Sequence, residues 1–159
     1  MITASLPESD PVILWRVSNY QSLDGLGGLY VAGHWHTKGH PVIYCTRNPA
    51  TALLETLVHI EIDLEDQPRQ FQMLKIEGPD SLSIETIAPD FLPRHWAEDP
   101  TITQTIGDQW LTRKRSLLLQ VPSVLVSETW NVLVNPQHSE RRRLKITKIL
   151  QHPFDARLF

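Results

Sequence analysis

Four side chains able to do chemistry are widely spaced along this sequence: Arg16, Tyr44, Glu55 and Ser123. Arg16 lies inside the apolar run LWRV and Glu55 inside ALLETL. Arginine and glutamate are rarely fully buried without partners, which makes this pair candidates for a shared polar cleft beside a core. On spacing alone, a structural ion pair or an exposed strand face explains them equally simply. Tyr44 by itself reads as core packing, and Ser123, directly after Pro122, as a turn hydroxyl.

Two other constellations invite a chemical reading. His34, His36 and His40 form an H-x-H-x₃-H cluster, but neither H-E-x-x-H nor C-x-x-C accompanies it. Histidines beside glycine commonly serve as loop polar groups, so no metal is expected. Cys45, with His138 as its base, could act as a nucleophile. It lies within PVIYCT, however, where a cysteine is ordinarily an inert core residue. The chain has no G-x-x-x-x-G-K-[ST] loop and no G-x-G-x-x-G after a strand, which removes the P-loop and Rossmann readings.

Certain elements must position these residues. Val12–Val17 and Pro41–Thr46 read as strands. Between them, residues 24 to 40 hold five of the seven glycines, a loop-rich stretch where backbone can approach a ligand closely. Asn48 and Pro49 are a cap and first-turn pair for a helix through ATALLETLVHI. In that helix Leu53, Leu54, Leu57 and Val58 form the expected apolar stripe, with Ala52, Glu55 and His59 on another face. Residues 61–70 read as an acidic loop. Phe71–Ile76 and Leu82–Ile87 read as strands, and Asp99–Pro100 open a second helix carrying Ile102, Ile106 and Trp110. Leu117–Val121, Val124–Val126, Trp130–Val134 and Leu144–Leu150 are strand-like, with Pro122 marking a bend or an edge. Strands outnumber helices and many connections are too short for parallel crossovers. The fold class is α+β, with a mixed or largely antiparallel sheet.

Composition narrows the setting. A length of 159 residues, 41% hydrophobic and 21% charged, suits one folded domain. A net charge of −3 argues against nucleic-acid binding. Arg141, Arg142, Arg143, Lys145 and Lys148 read as a solvated basic face. One cysteine permits no internal disulfide, which fits a reducing cytosol. No signal-peptide pattern opens the chain, and no apolar stretch approaches the about 20 residues that cross a membrane. A cytoplasmic protein is expected.

The motifs, taken in order, resemble the RES domain, whose name comes from an arginine, a glutamate and a serine. They are WR at 15–16, GLGGLYVAGHW at 25–35, PVIYCT at 41–46, ALLETLVH at 52–59, IGDQWL at 106–111, VPSVLV at 121–126, NVLVNPQH at 131–138 and the terminal PFDARLF. Each is short; their order and spacing over nearly the whole chain carry the resemblance. It implies an ADP-ribosyltransferase-like fold with NAD⁺ as substrate in a cleft, where the nicotinamide–ribose bond is broken by phosphorolysis or hydrolysis. Transfer of ADP-ribose to a protein is the alternative activity. The implied partner is an Xre-type helix-turn-helix antitoxin that blocks the cleft, and a homodimer is left open.

Carried onto this chain, Arg16, Glu55 and Ser123 take the catalytic positions, and Arg16, His34, Tyr44 and Ser123 the NAD⁺-binding ones. Gly33, Trp35, Asn135 and His138 could line the cleft, although capping is the plainer role for Asn135 and His138. In these roles Arg16 pairs with the pyrophosphate, Tyr44 stacks on a flat ring, and Glu55 faces the developing positive charge. Ser123 donates to a phosphate oxygen or to the nicotinamide amide. The chain departs from the family at His34, where the segment ordinarily reads GGRW. An imidazole there replaces a permanent, forked guanidinium. Weaker NAD⁺ binding, a pH dependence near neutrality, or a module that only binds its antitoxin would each follow from that change.

Overall fold

The computed structural model describes residues 10–62, 71–151 and 153–158. Seven strands form one sheet in the order β4-β5-β6-β2-β1-β3-β7. They are β1 (Val12–Ser18), β2 (Ile43–Thr46), β3 (Gln72–Gly78), β4 (Ile84–Thr86), β5 (Leu118–Pro122), β6 (Trp130–Val134) and β7 (Lys145–Gln151). Every pairing is antiparallel except β4 with β5. The helices are α1 (Gly27–Tyr30), α2 (Pro49–Ile62) and α3 (Pro100–Arg113). The α+β class and the mixed sheet are therefore as expected, with two local corrections. Val124–Val126 is a turn rather than a strand, and a short helix interrupts the glycine-rich segment. Helix α2 also runs through Glu61 and Ile62, and the rest of the expected acidic loop lies outside the described residues.

The sheet is weakly joined at its middle. β1 pairs with β3 from Val12↔Gly78 to Ser18↔Gln72, and β2 pairs with β6 along its whole length. β1 and β2 meet only at Trp15↔Thr46. One residue pair at the end of β2 thus joins β4-β5-β6-β2 to β1-β3-β7. α2 leaves directly from the end of β2 and packs against both β2 and β1, bridging the two halves.

Side-chain alternation fills both faces of the sheet. Leu14, Leu74, Ile76, Ile43, Cys45 and Val132 belong to one buried cluster. Trp35, Trp96, Trp110, Leu119, Val121 and Leu133 belong to the other. α3 supports the second cluster. Asp99 caps it, its Oδ1 accepting from the Thr101 N–H at 3.0 Å, and Pro100 takes the first helical position. Its buried face is Thr103, Gly107, Trp110 and Leu111, whereas Ile102 is exposed. Gly107 is required by close approach: a Cβ there would run into the carbonyl of Trp35. Among the described residues no helix is long and apolar enough to cross a membrane.

Gly107→Ala is expected to destabilise the fold by about 3 kcal/mol, the upper end of ordinary overpacking. That corresponds to a fall in thermal midpoint of roughly 6–12 °C for a chain of this size. Gly27→Ala is the control, since nothing lies near its added Cβ. Equal midpoints for the two variants would refute this account of α3 packing.

Candidate functional site

The site begins with the cap of α2. Asn48 Oδ1 accepts from the N–H of Ala50 at 2.8 Å and of Thr51 at 3.2 Å, fixing where the helix starts after β2. The leucine stripe is only half-buried: Leu53, Leu57 and Val58 are partly covered, and Leu54 is outside. Leu54 is 42% exposed and Ala52 is 3% exposed. Glu55 lies one turn from Ala52 and so flanks the inward side. A small residue there lets the helix approach the sheet, and this overrides hydrophobic periodicity.

Glu55 is held through one oxygen. Its Oε1 accepts from Ser123 Oγ at 2.7 Å and from Asn131 Nδ2 at 3.0 Å. Oε2 accepts no hydrogen bond among the described residues and is open to solvent. Ser123 is buried at the end of β5. Its Oγ also accepts from the N–H groups of Leu125 at 3.1 Å and Val126 at 3.3 Å. The residues expected as a strand therefore wrap around this hydroxyl. Its single proton goes to Glu55 and its lone pairs to the backbone, so the hydroxyl is saturated.

Arg16 occupies a different position. It pairs with Leu74 on β3 and so shares the face of Leu14, Leu74 and Cys45. Tyr44 pairs with Leu133 and belongs to the opposite face. Burial pushes the Arg16 guanidinium below its ordinary value, partly offset by Cys45 and Asp24. Even so, Arg16 makes no hydrogen bond or ion pair among the described residues, and its nitrogens reach solvent. It is thus a mostly buried cation with no carboxylate in ion-pair contact among the described residues, Asp24 acting only at longer range, and it is able to receive an anion. Burial raises the neighbouring Cys45 thiol to about 12, with Arg16 pulling the other way. The thiol stays protonated, which removes the nucleophile reading.

Tyr44 is fixed through its hydroxyl. His36 Nε2 donates to the Val31 carbonyl at 3.0 Å, which leaves Nδ1 as the acceptor. Tyr44 OH donates to that Nδ1 at 2.7 Å and accepts from the Trp35 N–H at 3.2 Å. Burial raises the tyrosine's pKa, so it remains a neutral donor. Gly33 is required here, because a Cβ would strike the Tyr44 hydroxyl and the His36 ring. Trp35 is 2% exposed and lies in the core, its ring 6.0 Å from that of Trp96.

The remaining expected site residues lie elsewhere. His34 Nε2 donates to the Ala97 carbonyl at 3.1 Å and its Nδ1 lies 3.0 Å from Thr103 Oγ1, with the ring edge-on to Trp96. Asn135 donates to the Leu111 carbonyl and accepts from the Gln137 N–H. His138 caps a short 3-10 turn by accepting from the Glu140 N–H. Both therefore have the capping role. His40 faces Asp108 at 3.7 Å, so the three clustered histidines have separate partners. Among the described residues no group of three His, Cys, Asp or Glu could hold a metal ion. Asn131 was not singled out from sequence, and His36 was read only as one of the clustered histidines; tertiary contacts reveal what both do.

The family model of the RES domain matches residues 13–155. The chain belongs to the RES domain family. A relative from Pseudomonas putida called Toxin Res is 43% identical over 148 residues, 93% of this chain and 100% of that protein. The Prs ADP-ribosylating toxin of Sphingobium sp. is 32% identical over 154 residues, covering 91% of this RES chain and 94% of its own. A chain in the crystal structure of the M. tuberculosis MbcT–MbcA toxin–antitoxin complex superposes with a TM-score of 0.72 at 14% identity, covering 91% of this chain and 85% of that one. That likeness is one of fold, and it agrees with the α+β class read from the sequence.

His36 gives a pH signature. Burial lowers its folded-state pKa, whereas the unfolded chain takes up a proton near pH 6.5. Stability should be level above about pH 6.5 and fall as pH drops toward the folded-state value, by at most about 1.4 kcal/mol per pH unit. Denaturant midpoints from pH 7.5 to pH 5 measure this. His36→Gln should remove that part of the slope; an unchanged slope would contradict the assignment.

Proposed function

We propose that this RES domain is a single-domain toxin that consumes NAD⁺ by breaking the bond between nicotinamide and ribose. The observation that carries the reading is the state of Glu55: one oxygen anchored by two donors, the other open. The pyridinium of NAD⁺ is already a good leaving group and needs no protonation. What the reaction requires is stabilisation of an oxocarbenium-like transition state and placement of a nucleophile opposite the leaving group. A carboxylate fixed in advance suits the first task, because it does not have to reorganise as the charge develops. Arg16 fits the pyrophosphate, since an unpaired and mostly buried guanidinium gains most from a doubly ionised partner. Tyr44, oriented by His36, offers a flat face for a ring.

The acceptor is phosphate or water in this reading, and the setting is the cytoplasm. The regulator is an Xre-type helix-turn-helix antitoxin that covers the cleft. The names of the Toxin Res relative and of the MbcT–MbcA complex support a toxin with a protein antagonist. A second reading, transfer of ADP-ribose to a protein, is favoured by the Prs ADP-ribosylating toxin at 32% identity. A third, a module that only binds its antitoxin, draws on His34, whose ring is bound to Ala97 and Thr103.

Incubation with labelled NAD⁺, with and without phosphate, separates these readings. ADP-ribose or its phosphate indicates degradation, label on a protein indicates transfer, and untouched NAD⁺ with a tightly bound antitoxin indicates the module. Glu55→Gln should retain the fold and lower turnover on the order of 10²–10³-fold; native turnover would refute the mechanism. Arg16→Ala should act mainly through KM, and an unchanged KM would count against phosphate binding.

A further inference from the structure

We propose that Asn131 is a positioning residue for Glu55, and that its amide holds the carboxylate in the orientation the reaction uses. The inference rests on the NAD⁺ reading above. Asn131 is the second residue of β6, pairing with Thr46 of β2 on one side and Val121 of β5 on the other. Its backbone is thus fixed between two strands. Its Nδ2 donates to Glu55 Oε1 at 3.0 Å. Its Oδ1 is the only buried side-chain N or O atom among the described residues without a hydrogen-bond partner.

That orphan acceptor carries the argument. A buried carbonyl without a donor costs stability, so a sequence selected for stability alone has no reason to keep asparagine here. The amide cannot turn over to relieve it, because its carbonyl would then face an acceptor-only carboxylate. The one favourable contact the side chain makes is to Glu55. Ser123 and Asn131 reach Oε1 from two different strand ends, and two donors on one oxygen fix the plane of the carboxylate where one would allow it to rotate. Oε2 is thereby left free and aimed. Asn131 does not itself touch the reacting atoms; it acts through Glu55.

The test is a double-substitution cycle on NAD⁺ turnover by the full chain. Asn131→Ala should lower kcat on the order of 10–100-fold with KM changed by less than about twofold, because it disturbs orientation and not substrate binding. Its thermal midpoint should stay close to that of the native protein, since the substitution also removes the orphan acceptor. Asn131→Asp, nearly the same shape, should be worse than Asn131→Ala, since it replaces the donor with a like charge beside Glu55. Combined with Glu55→Gln, Asn131→Ala should add little further loss. Full multiplicative loss in the double variant, or Asn131→Asp matching the native kcat, would overturn the proposal. A large fall in midpoint with unchanged kcat would assign Asn131 a structural role and overturn it too. If the native chain leaves NAD⁺ intact, the functional reading fails first, an outcome distinct from an active enzyme indifferent to position 131.

Discussion

The structure turns on a single strand pair, Trp15↔Thr46, which joins two halves of a sheet that are otherwise separately paired. Strands of an ordinary sheet pair along their length. Here β2 ends at Thr46, whose hydroxyl donates to the Asn48 carbonyl at 2.7 Å as the chain turns into α2. The turn that ends the pairing also starts the helix. The end of the β1–β2 pairing and the delivery of Glu55 therefore follow from one local event, and both depend on the Asn48–Pro49 signal being in place.

The polar groups around this seam differ in how their hydrogen-bonding capacity is used. Ser123 and Tyr44 are saturated by neighbours and are rigid as a result. Arg16 and Glu55 Oε2 retain unused capacity, and of the site's groups these carry the charge that a substrate would meet. A protein can bury a guanidinium with no ion-pair contact only at a cost in solvation, and the surrounding core of Leu14, Leu74 and Ile76 has to offset it. Had Arg16 and Glu55 paired, the fold would gain an ion pair and lose both its unpaired cation and its open carboxylate. The register prevents that pairing, since Arg16 follows the Leu74 face of the sheet.

Much of the frame was legible in the sequence. The cap-and-proline pairs located the starts of α2 and α3, and β-rich runs located all seven strands to within two residues. The errors share a physical cause. Leucine periodicity suggested that Leu54 was buried, yet packing of α2 is governed by how closely its backbone approaches the sheet, and that depends on Ala52. Val124–Val126 is β-branched and apolar, yet a single buried hydroxyl, Ser123, captures two of its backbone N–H groups and bends it into a turn. Each outcome depends on a contact with a residue remote in sequence or on a competing local hydrogen bond, and neither leaves a periodic trace.

The same limit applies to residue roles. A serine in a family signature reads as a hydroxyl for the substrate, but a hydroxyl has one proton, and that of Ser123 is directed at Glu55 with two backbone donors behind it. For Ser123 to donate to a phosphate or an amide, it would have to release the carboxylate it helps to hold. Its contribution in this geometry is thus transmitted through Glu55, and the backbone N–H groups that polarise it strengthen that bond. The histidines illustrate the converse. Read as loop polar groups they had no assigned partners, yet His36 fixes Tyr44 while His34 is bound to Ala97 and Thr103. Residue type narrows what a side chain can do; the partners already occupying its donors and acceptors decide what remains available for chemistry.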